Sequence, residues 1–199
     1  MKSEESAFSP PSRLATAYAR LELRAAFSLL LRFDDRIAGI VGRSTEPMIA
    51  QMKIAWWHDA IATAKDDRPR GEPLLIELNE IDNGTLIDAI QRLLDAWGLL
   101  LANEQWSADI LSAFAQGRGD AVFGTYSRWI GDGSVLQDIG NQWAVDDLRL
   151  RFGSRVGASA TSATQRLPNR RSLRPLTILT LAATEPTGVR MTWHALTGR

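Results

Sequence analysis

The chain contains no cysteine and only two histidines, His58 and His194, which are far apart in the sequence. Disulfides and thiolate metal sites are therefore excluded, and a metal site built on histidine is not supported. No run of 18 apolar residues occurs, so the sequence predicts no membrane-spanning helix. The first 12 residues lack the apolar segment typical of a signal peptide. These absences predict a soluble, cytoplasmic protein.

The length and composition favour a single domain. With 199 residues, of which 45% are hydrophobic, the chain can form one substantial core. Pro10 and Pro11 are compatible only with the first turn of a helix, so we expect a disordered lead-in over residues 1–12. Residues 13–199 then form the single predicted domain.

Apolar residues recur at steps of three and four, which is the period of an amphipathic helix. One such pattern predicts an uninterrupted helix over residues 13–41. The next helix opens at Pro47 and is apolar on so many positions that we expect it to be covered on two sides. Helices are also predicted over residues 73–81, 86–101, 107–131, 135–152, 170–183 and 186–196. No convincing strand alternation is present, so the predicted fold class is all-α.

The net charge of zero conceals an asymmetry along the chain. Residues 1–147 contain 14 Lys and Arg against 22 Asp and Glu, whereas residues 148–199 contain nine arginines and one acid, Glu185. Two alternatives follow: the two parts attract each other within the fold, or the basic part faces an anionic partner such as a diphosphate or a lipid headgroup. No basic module with interleaved aromatic residues is present, so nucleic-acid binding is not predicted.

Carboxylates on a core helix raise the possibility of magnesium chemistry, because oxygen ligands one helical turn apart can bridge the ion to phosphate. None of the 23 acidic residues is followed by another acid four positions later. The adjacent pair Asp34 and Asp35 diverges by about 100° around a helix, so we expect at most one of the two to point inward. A structural ion pair with Arg32 or Arg36 is the alternative to a metal site.

Several segments together resemble the squalene/phytoene synthase family. They are the stretch 29–61, which includes TEPMIAQMKIAWWHDAI, the triplet Gly117-Arg118-Gly119, residues 140–148, and the C-terminal segments 166–168 and 193–198. Within that family, the chain is most similar to the short bacterial members and to the mitochondrial complex I assembly-factor branch. The resemblance implies an isoprenoid-synthase-like helical bundle around a central cavity, where true enzymes use Mg²⁺ to join two prenyl diphosphates head to head.

The same resemblance indicates that both metal motifs are incomplete. Asp34 and Asp35 match the start of an Asp-Asp-x-x-Asp motif, but Ala38 replaces its last aspartate. The second motif should fall between Asp147 and Arg151, where the Arg-Asp step and a following acid are missing.

Two functions remain open at this stage. In an Mg²⁺-dependent prenyl transferase, the metal ligands would be Asp34, Asp35 and Asp147, and the diphosphate would be bound by Arg149, Arg151 and Arg155. No other residue is assigned a catalytic role. In the second hypothesis a non-catalytic or altered relative binds a lipid or a protein partner. The incomplete motifs favour this second hypothesis, since a fold alone does not carry function.

Some smaller features carry their own expectations. Trp56 and Trp57 are predicted to lie in the core, because large aromatic side chains supply much of core burial. Gly117 and Gly119 indicate either a cavity lining or a close approach of two helices. Peripheral contact with a membrane is a further possibility, in which the arginine-rich residues 166–174 meet anionic headgroups.

Overall fold

The computed structural model describes residues 8–43, 46–81, 84–103, 105–132, 136–156 and 167–184. All regular structure within these residues is helical, which confirms the all-α prediction. The helices in chain order are α1 (Pro10–Tyr18), α2 (Arg24–Arg43), α3 (Pro47–Ala62), α4 (Pro73–Ile81), α5 (Gly84–Leu101), α6 (Ala108–Gly119), α7 (Thr125–Ile130), α8 (Gln137–Phe152) and α9 (Arg174–Thr184).

Helices α2, α5, α6 and α8 form the centre of the bundle. Helix α6 packs against both α5 and α8, and α2 packs against α5. Helices α1 and α9 contact each other; α1 also packs on α2, and α9 also packs on α8. Helix α3 packs on α5 and α2, and helix α4 packs on α2. The largest fully buried side chains come mainly from the central helices: Phe27, Phe33, Trp97, Phe114, Arg118, Phe123 and Tyr126.

The predicted helix over residues 13–41 is wrong in two respects. It begins earlier, at Pro10, where the Ser9 side chain accepts a hydrogen bond from the Ser12 backbone and both prolines lie in the first turn. It is also broken at Ala19, whose backbone is extended. The guanidinium of Arg24 donates to the carbonyls of Ala17 and Ala19, and so satisfies acceptors that the break exposes.

Helix α3 is not covered on two sides within the described part of the chain. It buries a single face: Ala50, Ile54, Trp57, Ala60 and Ile61. Trp57 lies in the core as predicted and meets Phe33 edge to face at 5.2 Å, whereas Trp56 is 43% exposed. The opposite face therefore leaves large apolar side chains in solvent.

Most other predicted helices are observed with small changes at their ends. Helix α4 has the predicted bounds, and Ser107 caps α6 by accepting from the Ile110 backbone. Between α6 and α7 a wider π-helical turn, Asp120–Gly124, follows the glycine-flanked arginine. The predicted helix over residues 186–196 and most of the loop over residues 153–165 lie outside the described residues.

Close packing of α6 depends on glycine. A Cβ atom on Gly119 would lie 2.7 Å from the backbone carbon of Gly140 on α8, and one on Gly117 would lie 3.0 Å from the Ala96 Cβ on α5. Of the two expectations for these glycines, the close approach of helices is the one observed. It places the intervening Arg118 between three helices.

We predict that Gly119→Ala lowers the free energy of unfolding by about 1–3 kcal/mol, because the added methyl group must displace the backbone of α8. Gly98→Ala on α5 is the matched control, since nothing lies within 4 Å of its added Cβ. That variant should gain about 0.5–1 kcal/mol from helix propensity. Urea unfolding followed by far-UV circular dichroism measures both, and a stabilised Gly119→Ala protein would contradict the packing argument.

Candidate functional site

A buried group of charged side chains lies where α2, α6 and α8 meet. Asp34 of α2 faces Arg118 of α6, whose Nη2 and Nε donate to the two carboxylate oxygens at 2.7 and 3.0 Å. The indole Nε1 of Trp97 on α5 donates to Asp34 at 2.8 Å. The Arg118 side chain is fully buried and that of Asp34 is 3% exposed. The pair is thus removed from solvent and hydrogen-bonded on both sides.

The network extends toward the surface through α8. The Oδ2 atom of Asp147 accepts from Arg118 at 2.5 Å and from Arg151 at 2.8 Å. Arg151 also donates to Asp35 at 2.9 Å. The second oxygen of Asp35 accepts from the backbone N–H of Ser9 at 3.1 Å, which ties in the start of α1. We call Asp34, Asp35, Arg118, Asp147 and Arg151 the buried ion cluster.

Aromatic rings complete the surroundings of Arg118. Its guanidinium carbon lies 4.2 Å from the ring centre of Trp143, 5.1 Å from that of Trp97 and 5.9 Å from that of Phe114. The remaining Nη1 donates to the carbonyl of Ala144. Ring faces attract a cation, more strongly when it is desolvated, so they offset part of the cost of burying this charge.

The electrostatics favour the ionised forms of Arg118, Asp147 and Arg151. Burial alone would lower the pKa of Arg118, but attraction to Asp34 and Asp147 outweighs it and raises that pKa. Burial would likewise raise the pKa of Asp147, yet the charges of Arg118 and Arg151 hold it below its usual value. The pKa of Arg151 is raised because Asp147, Asp34 and Asp35 outweigh its burial. These shifts keep Asp147 a carboxylate that is paired with two arginines.

The structure brings some of the predicted site residues together and separates others. Asp34, Asp35, Asp147 and Arg151 meet in the cluster. Arg149 instead pairs with Asp146 at 3.3 Å, and Arg155 stacks over Trp106 at 4.5 Å. The three arginines predicted to bind a diphosphate therefore do not converge on a single point in this arrangement.

Two finer expectations about the aspartate pair are wrong. Asp34 and Asp35 are both buried, although they diverge around α2, because α1 and α8 cover the side that Asp35 faces. Their ion-pair partners are not Arg32 and Arg36, which instead bond to Glu77 of α4 and to Glu72, the residue before α4. The sequence spacing could not show this, since each cluster partner lies more than 80 positions away in the chain.

The same carboxylates can be compared with the needs of Mg²⁺, which requires oxygen ligands free to approach the ion. Five of the six oxygens of Asp34, Asp35 and Asp147 accept hydrogen bonds from arginine, tryptophan or backbone donors. Two guanidinium groups supply positive charge at this position. Within the described ranges, no group of three or more Asp, Glu or His is arranged to hold a metal ion. As arranged, the residues do not fit Mg²⁺.

Comparisons with known proteins add no family. No protein-family model matches the chain, and no curated protein or solved structure matches it significantly. Among the described residues, no helix is long and apolar enough to cross a membrane. The fold and the site thus define an all-helical protein with a buried ion cluster, and no narrower class.

Sequence reasoning missed Arg118 as a site residue. The sequence offers Arg118 only as part of the Gly117-Arg118-Gly119 triplet, in which glycines on both sides of a helical arginine leave room for neighbouring backbones. That signal could have singled out the arginine. Its partners could not be read from the sequence, because they come from three other helices.

We predict that Arg118→Met lowers the free energy of unfolding by about 3–5 kcal/mol, because it leaves Asp34 buried without its counter-charge. The double variant Asp34→Asn/Arg118→Met removes that orphaned charge and should recover about 1–3 kcal/mol. The comparison uses urea unfolding of the two single variants, the double variant and the parent. Additive losses in this cycle would show that the pair is not coupled.

The lowered pKa of Asp147 predicts a dependence of stability on acid. A carboxylate whose folded pKa lies below its unfolded value near 3.8 stabilises the fold above that pH, and the effect disappears as the pH falls through the folded pKa. Asp147→Asn should therefore be destabilised at pH 7, and its difference from the parent should shrink below about pH 4. Asp88→Asn, on an exposed position of α5, controls for the loss of one carboxylate. A constant difference from pH 7 to 3 would contradict the assignment.

Proposed function

We propose that the protein is a non-catalytic or altered relative of the squalene/phytoene synthases that keeps a helical bundle and binds a lipid or a protein partner. The carrying observation is the position of Arg118. Its guanidinium lies on Asp34, the first aspartate of the motif that would hold Mg²⁺ in a true enzyme. A fixed cation built from the chain itself thus balances the charge of that carboxylate.

Further support comes from the space between α2 and α8, where an enzyme of this kind would need an open, apolar cavity. Arg118 and Arg151 extend into this region and bond to aspartates of both helices. Paired charges of the chain itself thus lie where that enzyme would need an apolar cavity. An isoprenoid-synthase-like fold agrees with the all-helical architecture and stays part of the proposal.

A prenyl transferase is the competing function, and one observation favours it. The three aspartates assigned as metal ligands from sequence do converge, although they come from helices far apart in the chain. If a substrate diphosphate drew Arg151 away, Asp35 and Asp147 would be partly released. The enzyme hypothesis therefore requires that Arg151 move on substrate binding.

Incubation with farnesyl or geranylgeranyl diphosphate, Mg²⁺ and NADPH distinguishes the two functions. We expect no condensation product and no Mg²⁺-dependent shift in melting temperature, because the carboxylates already have arginine partners. Mg²⁺-dependent product that is lost in both Asp34→Ala and Asp35→Asn would overturn the proposal. Asp35→Asn is included because it leaves the Asp34–Arg118 pair in place and should remain folded.

A further inference from the structure

Four large apolar side chains stand exposed on the outer face of α3. Met48 is 72% exposed, Met52 67%, Ile49 45% and Trp56 43%. Met48, Met52 and Trp56 follow one another at four-residue steps and so form one continuous row about 12 Å long. We call these four residues the α3 apolar strip. Half of the eight exposed large hydrophobic residues of the described chain belong to it.

A groove runs along the strip between α3 and the second half of α2. Its volume is about 520 Å³, and its lining includes Ile40, Ile49, Met52 and Trp56. The charged lining residues are three cations and one anion: Arg36, Arg43, Lys53 and Glu72. The lining thus counts three positive charges against one negative, and Glu72 is bonded to Arg36 at 3.2 Å.

The apolar side chains of the strip and the cations of the groove together favour some binding partners over others. A second copy of the chain would bring like charges together, because a two-fold symmetric contact sets the same groove against itself. An anionic bilayer satisfies both properties: acyl chains accept the apolar residues, and the cations meet the headgroups. The half-exposed Trp56 has the amphipathic ring that is enriched at membrane–water interfaces.

We infer that the α3 apolar strip docks on the surface of a bilayer that carries anionic headgroups, with Met48, Met52 and Trp56 entering the acyl region and Lys53 next to the phosphates. No helix needs to cross the membrane for such contact, since peripheral attachment requires only apolar insertion with electrostatic attraction. This inference rests on the proposed function, because it takes the bound partner to be a lipid. It uses a different face of the bundle from the buried ion cluster.

The test is vesicle cosedimentation with phosphatidylcholine alone and with an equal mixture of phosphatidylcholine and phosphatidylglycerol. We expect binding to the mixed vesicles that weakens as salt is added, because the attraction between surface charges is screened. Met48→Ser/Met52→Ser and Lys53→Glu should each weaken this binding about tenfold. The controls are Leu21→Ser, which removes a similarly exposed apolar residue elsewhere, and Lys65→Glu, which makes the same charge change in the short 3-10 helix after α3.

Each other outcome counts against the inference. Absent binding, equal binding to both vesicle types, or equal losses in the controls and the strip variants would overturn it. A dimer in sedimentation equilibrium that the strip variants dissociate would make a second copy the occupant. A fall in the urea midpoint of the strip variants would show that the chain itself covers the strip. Failure here leaves the prenyl diphosphate assay untouched, because that assay depends on Asp34 and Asp35.

Discussion

The ion pair between Arg118 and Asp34 constrains the rest of the fold. A guanidinium that is fully buried must match its donors with acceptors, since leaving a buried charge unpaired costs about 3–5 kcal/mol, a large part of the net stability of a domain. Here the acceptors lie on α2 and α8, while Arg118 itself lies on α6. These bonds tie the three helices together at one point.

The glycines and the π-helical turn make that connection possible. Gly119 brings the backbone of α6 against Gly140 of α8, where any side chain at position 119 would collide. The π-helical turn Asp120–Gly124 then adds about one residue to a helical turn, so the residues after it face a different direction from those of α6. A long cationic side chain can reach two helices from this position because both neighbouring backbones are close. Packing and charge pairing therefore depend on the same few residues.

Local signals in the sequence predict much of this fold and little of the site. Prolines and Ser107 mark helix starts because their effects act within one turn. The recurrence of apolar residues at steps of three and four predicts the helices and so the all-α fold class. The break at Ala19 has no proline or glycine to mark it, since it is stabilised by Arg24 from the following helix. The cluster is equally hidden: the aspartates could be chosen by type, but their pairing with Arg118 and Arg151 depends on tertiary packing.

The prediction that α3 is covered on two sides is wrong because tertiary packing, which the sequence does not show, decides which faces are covered. A helix that is apolar all round is normally buried all round, because exposed apolar area is unfavourable in water. The sequence of α3 meets that condition, while the described chain covers only one face of it. Helix α2 separates the exposed face of α3 from the ion cluster. Asp34 of α2 points toward α6, whereas Arg36, two positions later and so about 200° around the helix, lines the groove. Under the proposed function, the arginine pairing inside the bundle therefore places no constraint on the outer strip, which can serve as a surface for a partner.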